Sequence, residues 1–186
     1  MKSLTIILFL FFIGHEFANA QDADKKRNSG IRAGWHMATL TKEGQQPDTT
    51  NQLNSFYVGF SNETKIAPLL FWGKGIEYFQ NGVEYTQNTR RILHTISVPI
   101  SLKLKLGPVF GRAGLAANFK ISEKYKFGDS SYDPPNKANW FDAPVFLGAG
   151  INILFFTVEA RYHWGLLEAT DDFYNRYFQL GAAVHF

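Results

Sequence analysis

Cysteine is missing from all 186 residues. That absence excludes disulfides and thiol chemistry. It also excludes a lipoprotein anchor, because no cysteine follows the N-terminal leader. Long apolar runs are missing too. Beyond the first residues, nothing approaches the ~20 consecutive apolar residues of a membrane-spanning helix. Charge of one sign is scarce, with a net balance of only +3. So small an excess, with no basic helix and no recognition motif, gives no case for nucleic acid. No internal repeat and no low-complexity tract stands out. A cysteine-free exported chain suits a bacterial envelope.

What is present starts with a leader. Lys2 forms a short positive region, residues 4–13 are apolar apart from Thr5, and Ala18-Asn19-Ala20 supplies small residues for cleavage. Residues 1–20 therefore read as a secretory signal peptide, with an apolar run too short to span a bilayer. The mature chain of about 166 residues suits one domain. Residues 21–28 read as a short, polar, flexible lead-in, and 29–186 as a single domain.

That domain is rich in aromatics, at 16%, and in glycine, at 16 residues. Its clearest pattern is a two-residue period, the mark of a strand with two unlike faces. The last strand shows it without a fault. Phe178, Leu180, Ala182, Val184 and Phe186 form one face; Tyr177, Gln179, Gly181, Ala183 and His185 form the other. A chain that stops on an apolar strand is typical of outer-membrane barrels, whose assembly machinery reads such a terminus. Phe178, Leu180, Val184 and Phe186 are thus the expected assembly signal.

Seven further strands are predicted, over 30–38, 54–62, 67–80, 91–106, 108–121, 141–153 and 156–164. Connections alternate in length. Those over 63–66, 107–108 and 154–155 are short; those over 40–53, 81–90, 122–140 and 165–174 are long. Short turns at one end and long loops at the other are a barrel rule. An even strand count puts both termini at the short-turn end, expected in the periplasm.

A soluble β-sandwich or lipocalin-like fold shares the alternation. Three features favour the membrane. The fourth strand runs about 15 residues, against ~5–6 for an ordinary globular strand. The polar face is rich in Gly, Ala and Ser, which suits a crowded narrow interior. Trp35, Trp72, Trp164, Tyr162 and Phe186 lie near predicted strand ends, as interfacial girdles require. The fold class predicted is therefore an all-β, eight-stranded, antiparallel up-and-down transmembrane barrel. The third strand resists: Lys74 shares parity with Leu70, Trp72 and Ile76. Either a bulge at Gly73 or Gly75 resets the register, or the strand stands clear of the membrane there.

The chain resembles the PorT-like outer-membrane β-barrel family. The matching stretches are Gly30-Ile31-Arg32-Ala33-Gly34, Ile96-Ser97-Val98-Pro99-Ile100, Leu147-Gly148-Ala149-Gly150, Glu159-Ala160-Arg161-Tyr162 and Phe178-Gln179-Leu180-Gly181. The resemblance covers nearly the whole mature chain and implies fold and location, not activity. Nothing marks this chain as a secretion factor.

Inward positions carry the candidate chemistry: Arg32, His36, Lys103, Lys105, Arg112, Lys120, Glu159, Arg161 and His163. An eight-stranded barrel holds little beyond its own side chains, and buried charges need partners. The expectation is a polar network of Arg32, His36, Arg112, Glu159, Arg161 and His163, with Glu159 pairing Arg32, Arg112 or Arg161. An anion-favouring channel is the sharper alternative, since cations outnumber this one acid. Nothing fixes a nucleophile, base and acid together among His36, His94, His163, Glu168, Asp171 and Asp172, so no enzyme is expected. Asp129 and Asp133 match no calcium-loop spacing, and no cofactor is expected. Tyr125, Phe127, Tyr132 and Trp140 in the longest loop are candidate contacts for a partner or lipopolysaccharide. The expected partners are outer-membrane lipid, the barrel-assembly machinery and an envelope or surface protein. The leading expectation is a non-catalytic scaffold acting through its outer loops; a narrow porin-like channel is the alternative.

Overall fold

A computed structural model describes residues 27–186 apart from 43, 48–49, 87–88, 129, 134–137 and 171–172. The leader and residues 21–26 of the lead-in lie outside the described residues. Ten strands follow in chain order: β1 (Arg27–Thr41), β2 (Asn51–Lys65), β3 (Leu70–Thr86), β4 (Thr89–Leu106), β5 (Val109–Phe127), β6 (Ser130–Tyr132), β7 (Phe141–Asp142), β8 (Val145–Ile153), β9 (Phe156–Thr170) and β10 (Phe173–His185). Eight of them close a ring, β1-β2-β3-β4-β5-β8-β9-β10, with β10 antiparallel to β1. Closure leaves no open sheet edge to desolvate in a bilayer. β6 extends β5 in a hairpin, and β7 pairs β5 above β8. β7 and β8 are one barrel strand interrupted at Ala143-Pro144, where proline has no N–H to donate; the Pro144 carbonyl still accepts from Ala116 at 2.9 Å.

The C-terminus is sewn into the ring. Phe186 N–H donates to the Ser29 carbonyl at 2.8 Å, and His185 N–H to the Phe155 carbonyl at 2.9 Å. The outward face of the eight ring strands is apolar over a continuous band. Ile31, Phe60, Ile76, Leu104, Leu115, Leu147, Val158 and Leu180 are all exposed on it. Exposed large apolar side chains are stable on lipid and unfavourable in water. The two-residue links lie at the short-turn end, Gly107 taking φ 64° and Leu154 φ 55°.

Several strands run further than the sequence pattern suggests. Residues 81–86, 89–90, 122–127 and 165–170 continue β3, β4, β5 and β9 past the apolar band, and 63–65 complete β2. The third strand is resolved as well. Its register runs without a shift from Tyr57↔Phe79 to Lys65↔Phe71, so no bulge surrounds Lys74. Lys74 keeps outward parity beside Trp72 and Ile76, opposite Asn62. Asn62 donates to Ser29 at 2.9 Å. The outward face of β1–β3 has therefore turned polar at that level, near the short turns.

Candidate functional site: the lumen and the long-loop rim

Inward parity brings seven charged side chains into one buried chain. Lys103 pairs Glu63 at 2.9 Å, and Arg112 also binds Glu63. Arg112 reaches Glu159 at 2.8 Å, and Arg32 meets Glu159 at 3.3 Å and Glu77 at 3.2 Å. Arg161 closes the series with two hydrogen bonds to Glu77, at 2.9 and 3.1 Å. Charges alternate in sign along the whole path. Each carboxylate lies between two cations, the arrangement that offsets desolvation of buried ions.

The expected network thus has two members the sequence reading missed, Glu63 and Glu77. Glu159 is not the one acid: Lys103, Arg112, Arg32 and Arg161 face three carboxylates, so the cation excess along this path falls to one. Arg161 pairs Glu77, not Glu159. Glu63 stood in a segment read as a turn, and Glu77 in the strand of uncertain register. Fixing the β3 parity is the signal that finds Glu77.

Above this layer lie rings. Phe146 stacks on His163 at 4.7 Å, His163 on Tyr177 at 4.2 Å, Tyr177 meets His36 at 5.0 Å, and His36 stacks on Phe79 at 4.6 Å. All five side chains are buried. His36 Nε2 donates to Asn81 Oδ1 at 3.0 Å and His36 Nδ1 accepts from Gln179 Nε2 at 3.2 Å, while His163 is held chiefly by its ring contacts. The two histidines are separated by a phenol ring, and among the described residues no carboxylate is bound to either. Two further rings pack on the ionic layer: Arg161 lies 5.4 Å from the Tyr57 centroid and Lys103 lies 4.0 Å from that of Phe110, favourable placements for cations over π faces. A void of about 10 Å³ remains between Arg32, Ser61, Ser101, Arg112 and Arg161, room for about one water.

The rim at the long-loop end is built on a β-bulge. The β4–β5 register shifts between His94 and Thr95, leaving Ile121 unopposed. That shift reverses β5 parity above it. Glu123 and Tyr125 turn inward; Ser122, Lys124 and Lys126 turn outward. Inside, Glu123 accepts from Arg91 at 2.7 Å and from Ala138 N–H at 3.0 Å, and it also binds Lys120. Lys120 reaches the Ala138 carbonyl. The latch ties the segment before β7 to the barrel. Burial acts to raise the Glu123 pKa, but hydrogen bonds and charge from Lys120 and Arg91 prevail and hold it below the ordinary value.

The four aromatic candidates do not share one surface. Tyr125 is half-buried between Tyr85, at 6.3 Å, and Tyr132, at 5.8 Å, in a stack over the mouth. Phe127 is exposed at the end of β5. Trp140 lies on the outer wall against Phe119 and Phe141. Beside it opens a cleft of about 480 Å³ lined by Trp140, Phe141, Leu166, Leu167 and Tyr174. There the β8–β9 ladder stops at Val145↔Trp164, and Asn139 bridges to the Glu168 and Ala169 carbonyls beyond the gap. Asp133 and Glu168 are exposed, and Asp129, Asp171 and Asp172 lie outside the described residues.

A closed eight-stranded antiparallel ring with an apolar outside and a polar, filled inside defines a transmembrane β-barrel. The chain belongs to the outer membrane protein beta-barrel domain family, whose model matches residues 19–171. Among solved structures it is similar to Neisserial surface protein A, at 14% identity and TM-score 0.55, covering 85% of this chain and 97% of that one. It is also similar to Ail, the attachment invasion locus protein of Yersinia pestis, at 17% identity and TM-score 0.52, covering 86% and 99%. At these identities the likeness is one of fold. No curated protein matches the sequence.

Proposed function

We propose that this outer-membrane barrel is a non-conducting, non-catalytic scaffold that acts at its long-loop rim, with that rim outside the cell and both termini in the periplasm. The observation that carries this reading is the filled lumen. A sign-alternating path of seven charges and a five-ring stack occupy it from wall to wall. Moving an ion through would require separating buried pairs at a cost of several kcal/mol each. A narrow porin-like channel would need those groups to stand apart around open water. The rim is braced instead for display: the Arg91–Glu123–Lys120 latch and the tyrosine stack hold β5, β6 and the approach to β7 in place. The motifs shared with PorT-like barrels, such as Gly30-Ile31-Arg32-Ala33-Gly34, support a place in that narrower group, with no role in secretion implied.

Solute entry into liposomes tests the reading. Vesicles carrying the refolded mature chain should swell no faster in small sugars or amino acids than empty vesicles. Swelling that scales with protein load would overturn it.

A further inference from the structure

We propose that the outward face of the β4–β5 extension is a binding surface for the phosphate groups of an anionic glycolipid, with Lys124, Lys126 and Arg90 as its contacts. The inference rests on the orientation proposed above, with the long-loop end outermost, but not on the state of the lumen.

Position is the first support. Below the bulge the outward pairs are apolar: Ile96↔Phe119, Val98↔Ala117 and Ile100↔Leu115. Above it they become Arg90↔Lys126, Ile92↔Lys124 and His94↔Ser122. The change comes within three residues of Ile121, which is 58% exposed. At ~3.4 Å per residue on a strand tilted ~45°, Lys124 stands roughly 7 Å above Ile121. That is the depth of the headgroup layer, given a ~30 Å core within ~40–45 Å overall.

Parity is the second. Without the bulge, Glu123 and Tyr125 would face out and both lysines would face in. The bulge spends one residue, Ile121, to reverse this. Placing Lys126 directly opposite Arg90 sets like charges across a strand pair, which destabilises a sheet. Glu84 offsets part of that by binding Arg90 at 3.1 Å, and it is the outward acid among the described residues of β3–β6. His94, paired with Ser122, lies on the same outward face as both lysines. An external phosphate would relieve the repulsion. A lipid fits better than a free anion because the basic stripe continues the apolar band that holds its acyl chains.

The test uses the full mature chain in phosphatidylcholine nanodiscs containing lipid A, with retained lipid counted by native mass spectrometry. Wild type should retain lipid A, and inorganic phosphate at equal concentration should not displace it. Lys124→Gln with Lys126→Gln should lower retention about thirtyfold, at roughly 1 kcal/mol per surface cation. Lys124→Arg with Lys126→Arg should keep it. Heat-modifiable migration checks that each variant has folded. Equal retention by the glutamine variant, or displacement by inorganic phosphate, overturns the proposal. Because nanodiscs present lipid to both rims, this result is independent of orientation. Orientation is read separately, by labelling Ser131→Cys on intact cells with an impermeant maleimide. Absent labelling would overturn the topology, while the retention result would still decide whether this face binds phosphate.

Discussion

At the residue scale the lumen is made by size as much as by charge. Gly181 faces Gly34 across the β1–β10 seam, and Tyr57 lies over them. A Cβ at Gly181 would come within 2.3 Å of the Tyr57 hydroxyl. Small inward residues are therefore the bed on which inward rings rest. The sequence shows the small residues clearly. It shows the rings poorly, because an aromatic in an alternating strand suits lipid equally well; Phe146 and Phe79 become interior only once register is known. The charges behave similarly. Arg32, Arg112, Glu159 and Arg161 follow from parity alone, whereas Glu63 and Glu77 sat where parity was not yet fixed. Glu77 binds both Arg32 and Arg161, and Arg32 keeps Glu159, so Glu77→Ala strands the buried Arg161. Such a loss should destabilise the barrel by about 3–5 kcal/mol, measured by urea unfolding in lipid. A loss below ~1 kcal/mol would show that the ionic path contributes little.

At the element scale, strand ends separate what the sequence shows from what it hides. Within the bilayer one face meets lipid and the other the lumen, so alternation is strong. Past the band both faces meet polar surroundings and the period fades, although backbone pairing continues. Residues 122–127 look like loop for that reason, with Lys124 and Lys126 outward on a paired strand. The latch inside that extension predicts a pH dependence. Glu123 has a folded pKa below the ordinary 4.5, so its stabilisation is complete above that value. It is lost as pH falls through the lowered folded value. Amide exchange near Ala138, corrected for intrinsic rates, should accelerate over that fall in wild type but not in Glu123→Gln. Identical profiles would remove the latch from the account. The terminal strand predicts an assembly effect. Phe186 is sewn to Ser29 by its backbone while its side chain stays exposed. Phe186→Asp should therefore lower outer-membrane levels, as seen by immunoblot of separated membranes, without breaking a lumen contact. Wild-type levels would argue against the terminal side chain as an assembly signal.

For the whole molecule, an apolar belt, a filled interior and a braced rim follow from one rule, that every strand must satisfy lipid on one side and its neighbours on the other. The fold, and with it membership among outer-membrane β-barrels, was legible because that rule repeats in eight strands. Closure of the lumen was expected from the narrowness of eight strands; which inward side chains meet across it was not legible, because Glu63 and Glu77 stood where parity was not fixed. Single-channel recording of the refolded mature chain in planar bilayers tests that closure most directly, with heat-modifiable migration on the same sample to confirm folding. A folded barrel that stays silent is the result the filled lumen predicts. Steady conductance that changes on Arg112→Ala or Arg161→Ala would contradict it and make the lumen the working part of the protein.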